Sequence, residues 1–387
     1  MSSTKDYRAQ TITIRRDNGK LSKTWLIAAD IGYSAVKIMS HEVVASFPSY
    51  ASRLGEDRGS FGTIPDSHIV YTDTATGEKW LVGQAAQDRI SDRDTSVTEK
   101  ALYGRERYDD PAFRVIVETG LALGMPAAGK GTAGDKEIVI QTGFPPEYQS
   151  DEEDLCAVFS GLHDFSIKIG EHEEVHYRFQ ILPKNVYTMP QPKGTLFSAV
   201  VDRNGVLIPS MKDCLMKNIM VFDGGFGTLD LFPICAGHLE ECQTNDQLGM
   251  RRVLKETTMM LKKEYGIDIS VPALHKYLTT GKARYHKKNV SKDIEFGDLL
   301  EEASKKVCKE ALQWMSQVYE LYEYEYLIIT GGTGAAWEGT IREELSEMST
   351  LKIINGNSTD SLGFVFANVR GYFLSRLITI RGEEKKS

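Results

Sequence analysis

Two stretches of this sequence repeat one another. One reads IAADIGYSAVKIMS, from Ile27 to Ser40, and the other IMVFDGGFGTLDLF, from Ile219 to Phe232. With Asp30 set on Asp223, both run from apolar residues into Asp, then one residue, Gly, an aromatic, small residues and an aliphatic–charged–aliphatic tail. Two aliphatic runs around a Gly-rich break read as strand, tight turn, strand. The copies stand 193 residues apart (223 − 30), and strand and helix patterns alternate after each. That arrangement predicts an α/β chain built by internal duplication.

The 387 residues suffice for two domains, each with its own core. A net charge of −8 argues against holding bare nucleic acid through an overall positive field. Five scattered cysteines without a C-x-x-C suggest reduced, mostly buried thiols and a cytosolic setting. The polar start MSSTKDYRAQTITIRRDNGK has no apolar core of a signal peptide, and no run of membrane-spanning length occurs.

Along the chain, residues 1–24 read as a polar arm and residues 25–210 as domain I, with a small loop-rich subdomain at about 50–100. PAFRVIVETGLALG has helical spacing between Pro111 and Gly124. EIVIQTGFP reads as a buried strand, FSIKIGEHEEVHYRFQIL as a hairpin, and NVYTMPQPKGTLFSAVV as strand, corner and helix. Residues 211–358 form domain II, with a helical subdomain at about 250–320. There Leu299, Ala303, Val307, Ala311, Met315 and Val318 line one face of a long helix. YLIITGGTGAAW reads as strand, Gly-rich turn and helix. A last helix at 359–380 carries small Ala367 and Gly371 one turn apart, ahead of a solvated Lys/Glu tail.

The repeated turn has a chemistry. Glycine lets the backbone approach an anion closely, and successive N–H groups then form a phosphate-binding concavity. An Asp at the mouth would repel phosphate directly but can hold a hydrated Mg2+ that bridges to it. One turn per half would clamp a triphosphate from two sides. Taken singly, Asp-Gly is common in structural hairpins; the matched pair and the third Gly-rich element favour the functional reading. HEEVH (His172 to His176) fits a zinc-protease motif but falls at a hairpin tip rather than on a helix. GMPAAGKGT nearly matches a P-loop, with Gly131 where Ser or Thr is required, and reads as a loop. KARYHKKNV reads as a solvated face or a self-contact, and the four tryptophans as packing.

DIGYSAVK, DGGFGTLD and TGGTGA, in this order, resemble the two phosphate motifs and the adenosine motif of the actin-like ATPase superfamily. QTGFPPEY and FANVRGYF are similar to segments of ParM-type plasmid-segregation actins, the latter to a C-terminal helix that packs back on the first domain. The likeness runs from about Trp25 to Leu377. It implies an actin-like, ribonuclease-H-like duplicated fold with two domains around a nucleotide cleft. It implies that Asp30 and Asp223 organise Mg2+ through water. Gly32, Tyr33, Ser34, Gly224, Gly225, Gly227 and Thr228 would line the phosphates, and Lys37 would neutralise their charge. Gly331, Gly332 and Thr333 would touch the nucleoside. Gln191, in the corner MPQPKGTL, would orient the attacking water.

ParM-type proteins often carry Glu at the place of Gln191, and LPKNV offers a competing alignment with Lys184 or Asn185 there. The implied function is an ATP- or GTP-hydrolysing filament that moves plasmid DNA through a ParR-type adaptor in the bacterial cytoplasm. Direct nucleic-acid or membrane binding is not expected. A small-molecule kinase would need a carboxylate base where YTMPQPKG has none. A non-polymerising nucleotide-binding scaffold is the third alternative.

Overall fold

The computed structural model describes residues 4–55, 63–89, 105–128, 131–212, 214–287 and 290–386. They fall into two compact units. The first comprises Ala9–Arg89, Ala101–Leu207 and Asn368–Ser387; the second comprises Ile208–Ala367 with the segment that ends at Arg8.

The strands of the first unit are β1 (Ile12–Arg15), β2 (Thr24–Ile31), β3 (Ala35–Ser40), β4 (Val43–Pro48), β5 (Ala51–Arg53), β6 (Ile69–Asp73), β7 (Lys79–Val82), β8 (Glu137–Thr142), β9 (Gly161–Ile169), β10 (Val175–Ile181) and β11 (Val186–Tyr187). Six form one sheet in the order β1-β4-β3-β2-β8-β11, and five form a second in the order β10-β9-β6-β7-β5. Strand β2 is buried along its whole length, as its unbroken aliphatic run requires of a central strand.

The helix Pro111–Gly124 opens on an Asp110 cap with Pro111 in its first turn, both good start signals. It packs on the large sheet, and the Gly124 carbonyl accepts from Trp25 Nε1 at 3.0 Å. The C-terminal helix Ala367–Glu384 also lies against this unit. Its Gly371 touches the helix Gln191–Val200 so closely that a Cβ there would overlap the Gly194 carbonyl. That contact accounts for the small residues expected on this face. Beside it, buried Arg370 donates to the Ser198 carbonyl at 2.6 Å and the Val201 carbonyl at 3.1 Å, closing the end of the Gln191–Val200 helix.

The second unit contains β12 (Ile219–Gly224), β13 (Leu229–Cys235), β14 (His238–Leu239), β15 (Gln243–Asn245), β16 (Lys282–Lys287), β17 (Val290–Glu295), β18 (Tyr326–Thr330) and β19 (Lys352–Asn355). The main sheet runs β14-β13-β12-β18-β19, with β15 also on β13. Helices Met250–Tyr265, Val271–Tyr277, Gly297–Val318 and Gly331–Glu344 complete it.

The duplication holds at the level of register. In the first unit Asp30 pairs with Lys37 and Ile31 with Val36; in the second Asp223 pairs with Asp230 and Gly224 with Leu229. Strand β2 then pairs with β8 in parallel, as β12 pairs with β18.

Several expectations need correction. The polar arm is not a free arm, because Ile12 and Ile14 alternate with polar residues and β1 joins the edge of β4. The loop-rich subdomain is half of a sheet completed by the distant hairpin β9–β10; of its residues, 56–62 and 90–100 lie outside the described residues. The long helix buries Leu300 rather than Leu299 as its first large side chain, and Val318 is exposed. The Gly-rich turn expected at 331–334 before a helix is itself the first turn of that helix. The expected tail is partly helical, and Glu384 accepts from Ser22 Oγ at 2.8 Å.

Candidate functional site

The first turn is closed by the Gly32 N–H, which donates to the Ala35 carbonyl at 3.1 Å. Asp30, the last acidic residue of β2 before it, is only 3% exposed. Cross-strand pairing sets Lys37 beside it, and Lys37 Nζ lies 3.1 Å from Asp30 Oδ2. Gln191 Nε2 donates to the other oxygen, Asp30 Oδ1, at 3.3 Å. Gln191 is held at the head of its helix by its backbone N–H, which donates to the Phe144 carbonyl at 2.9 Å. Asn185 is engaged elsewhere, donating to Glu137 Oε1 at 2.9 Å, and Lys184 points to solvent. Of the three candidates for the corner position, Gln191 is the one brought to the repeat Asp.

Behind the turn, Arg107 stacks over the Tyr33 ring at 4.6 Å and the Phe113 ring at 4.9 Å, and donates to the Ile31 carbonyl at 3.2 Å. Ser49 Oγ donates to the Gly32 carbonyl at 2.7 Å, and Ser49 N–H to the Ser34 carbonyl at 3.0 Å.

The second turn closes in the same way, with the Gly225 N–H donating to the Thr228 carbonyl at 2.9 Å. Asp223 and Asp230, opposite one another across β12 and β13, are 3% and 1% exposed. Asp230 accepts from Thr228 Oγ1 at 3.1 Å and from Thr244 Oγ1 at 2.5 Å. Phe226 stacks on the His275 ring at 5.2 Å. Burial holds His275 neutral, lowering its pKa to about 3.

Parallel pairing of Asp223 with Thr330 carries the third Gly-rich element to this turn. Gly331 adopts φ +79°, and a Cβ on it would overlap the Gly224 carbonyl and lie 2.6 Å from Asp223 Oδ1. Thr333 Oγ1 donates to the Gly225 carbonyl at 2.5 Å, while Gly332 is exposed. From a third side, the helix Met250–Tyr265 begins here, and its Arg251 N–H donates to the Phe226 carbonyl at 2.8 Å.

Thus Asp30, Gly32, Tyr33, Ser34, Lys37 and Gln191 gather in the first unit. Asp223, Gly224, Gly225, Gly227, Thr228, Gly331, Gly332 and Thr333 gather in the second. Each mouth offers carboxylate, hydroxyl and amide oxygens, donors that suit a hard ion such as Mg2+, although in the first Lys37 and Gln191 already bond the two Asp30 oxygens. Ser49, Arg107, Thr244 and His275 escaped the sequence reading because they join the turns from distant elements. Asp230 stands at the place in the second repeat that Lys37 holds in the first.

The alternatives fare differently. His172 sits in the tip between β9 and β10 and His176 on β10, so HEEVH is not helical. No group of three or more potential metal-binding side chains occurs among the described residues. Gly129 and Lys130 of the P-loop-like stretch, and Lys288 and Asn289 of the basic run, lie outside the described residues. In the rest of that run Arg284 pairs with Asp293 at 2.9 Å and Lys282 with Glu295 at 3.1 Å. All five cysteines are free, and burial pushes the Cys214 thiol up to about 11 and Cys308 up to about 12. No described helix is long and apolar enough to cross a membrane.

Residues 28–194 match the family model of the actin-like proteins' N-terminal domain, a span that holds both Asp30 and Gln191. Solved structures match over nearly the whole chain. A non-polymerisable quadruple mutant of pCBH ParM is 20% identical, with a TM-score of 0.67, over 92% of this chain and 99% of its own. The chain has an actin-like fold. ParM from a 15-stranded filament of Clostridium botulinum gives 22% identity and a TM-score of 0.67, over 91% of this chain and 98% of its own. The archaeal actin homologue Ta0583 gives 15% and 0.61, over 92% and 100%. Comparison with curated protein sequences gives no match. In this actin-like chain each unit carries one of the repeated turns, and the third Gly-rich element belongs with the second turn.

Proposed function

We propose that this chain binds Mg-ATP or Mg-GTP through its two repeated turns, hydrolyses it, and assembles with copies of itself into a nucleotide-dependent filament. The observation that carries the reading is the matched register of the two turns, with Gln191 delivered to Asp30. Turn amides would hold the phosphates. Asp30 and Asp223 would hold Mg2+ through water, and the ion, when bound, would offset phosphate charge. Lys37 adds a positive charge beside the first turn. Gln191 is too weak a base to take a proton, so its role would be to orient water, which suits a reaction governed by positioning and charge stabilisation. ParM filaments among the structural neighbours support self-assembly as the outcome. By the same likeness the cargo would be plasmid DNA, reached through a ParR-type DNA-binding adaptor, in the bacterial cytoplasm.

The test is light scattering with parallel phosphate release after Mg-ATP or Mg-GTP is added across a protein concentration series. Scattering above a threshold concentration, followed by phosphate, is the expected result. Gln191→Ala should slow phosphate release about a hundredfold and spare assembly. Turnover without assembly would point to a small-molecule kinase, and binding without turnover to a scaffold.

A further inference from the structure

The same carbonyl is tied back in both turns, by residues that lie outside the repeats. Gly32 and Gly225 each stand two residues after the repeat Asp. The Gly32 carbonyl accepts from Ser49 Oγ at 2.7 Å, and the Gly225 carbonyl from Thr333 Oγ1 at 2.5 Å and, more weakly, from the Met250 N–H at 3.3 Å. Ser49 follows β4, whereas Thr333 lies in the helix after β18. Two unrelated elements thus supply one hydroxyl each to the equivalent atom. Other carbonyls of the turns are also engaged: Ile31 by Arg107 at 3.2 Å, Ser34 by the Ser49 N–H at 3.0 Å, and Phe226 by the Arg251 N–H at 2.8 Å.

A trans peptide is planar, with its C=O and N–H pointing in opposite directions. Drawing the Gly32 carbonyl towards Ser49 therefore turns the Tyr33 N–H the other way, and drawing the Gly225 carbonyl towards Thr333 does the same for the Phe226 N–H. A carbonyl free to swing round would instead present its negative end to an anion. Preorganised N–H dipoles need no reorganisation when the anion arrives. The Thr333 hydroxyl donates to the Gly225 carbonyl and so acts on the turn.

We propose that Ser49 and Thr333 are paired positioning residues, each fixing one turn so that its amides face phosphate oxygens. The inference rests on the reading of both turns as phosphate cradles. The test is calorimetric titration of wild type, Ser49→Ala, Ser49→Thr, Thr333→Val and Thr333→Ser with the Mg-nucleoside triphosphate and with the bare nucleoside. Ser49→Ala and Thr333→Val should each weaken triphosphate binding about tenfold, and Ser49→Ala should leave nucleoside binding unchanged. The hydroxyl-retaining variants should stay within about twofold of wild type. Unchanged triphosphate affinity in both hydroxyl-free variants, or an equal loss for nucleoside and triphosphate in Ser49→Ala, would overturn the proposal while the phosphate reading stands. A wild type that binds no triphosphate would overturn both. Should Ser49→Ala fail to fold, Thr333→Val in the other unit carries the triphosphate test.

Discussion

The two turns have one backbone and opposite surroundings. In the first, the repeat Asp faces Lys37, and the turn's aromatic residue, Tyr33, lies under the Arg107 guanidinium. In the second, the repeat Asp faces Asp230, and the equivalent aromatic, Phe226, lies on the neutral His275 ring. Duplication thus preserved register and turn hydrogen bond, while the side chains around them, including the hydroxyls that reach each turn from unrelated elements, diverged. The first turn is furnished with cations and the second with carboxylates. On the proposed function this divides labour: the first turn would favour phosphate and the second the cation that accompanies it. The lesson is that a repeat motif specifies where a backbone goes, and its cross-strand partners specify what the backbone can hold.

The strongest test of the comparison is the closeness of the third element to the second turn alone. Gly331→Ala places a Cβ against the Gly224 carbonyl at a positive φ, where neither backbone can yield. It should cost about 4 kcal/mol in urea denaturation. Gly32→Ala meets only the Ala35 carbonyl at 3.0 Å and the movable tip of Lys37 at 3.1 Å, and should cost about 1 kcal/mol. Equal costs would mean that the two turns are equally enclosed.

Charge is the next way to separate them. Lys37→Met strands the buried Asp30 carboxylate and should cost about 3 kcal/mol, most of it recovered in the double variant with Asp30→Asn. Asp230→Asn should cost about 1 kcal/mol, because Thr228 and Thr244 can still bond an amide. A Lys37→Met protein as stable as wild type would show that the ion pair contributes nothing to the first turn.

How much of this was legible in the sequence follows from what is local. Both hairpins could be read because an aliphatic run, a Gly-rich break and a second run are contiguous signals. The helix at Pro111–Gly124 was readable to the residue because Pro111 and Gly124 punctuate it. Strand β1 was hidden because its alternation, Ile12 and Ile14 among Thr and Arg, sits inside a polar stretch. Gln191 could be suspected from its proline-flanked corner, but only the parallel approach of β8 and β11 and the Phe144 tie bring it to Asp30. Ser49, Arg107 and Thr333 act through main-chain carbonyls, and a carbonyl has no letter in a sequence.

Burial of His275 offers a pH test of the second unit. Its pKa is lowered from 6.5 to about 3, chiefly by desolvation and secondarily by the charge of Arg8. The unfolded chain therefore takes up this proton first. The stabilisation is complete above pH 6.5 and is lost as the pH falls from there towards 3, at about 1.4 kcal/mol per unit. Between pH 7.5 and pH 5, urea denaturation of wild type should lose about 2 kcal/mol more than that of His275→Phe, which keeps a ring on Phe226. Identical losses would refute a neutral buried imidazole.

The smallest expected effect concerns the cation behind Tyr33. Arg107→Lys keeps the positive charge but gives up the flat guanidinium that stacks on Tyr33 and Phe113 while bonding the Ile31 carbonyl. An ammonium can satisfy the ring or the carbonyl, but it lacks the fork that reaches both. The half-buried setting limits the loss to about 1 kcal/mol, read as a small drop in melting temperature. Arg107→Ala should lose no more than twice that, about 2 kcal/mol, since Ser49 still ties the Gly32 and Ser34 carbonyls. If lysine proves fully equivalent to arginine, the first turn needs only charge behind it. If lysine behaves as alanine does, the planar stack is what the first turn requires, a counterpart to the His275 ring on Phe226 in the second.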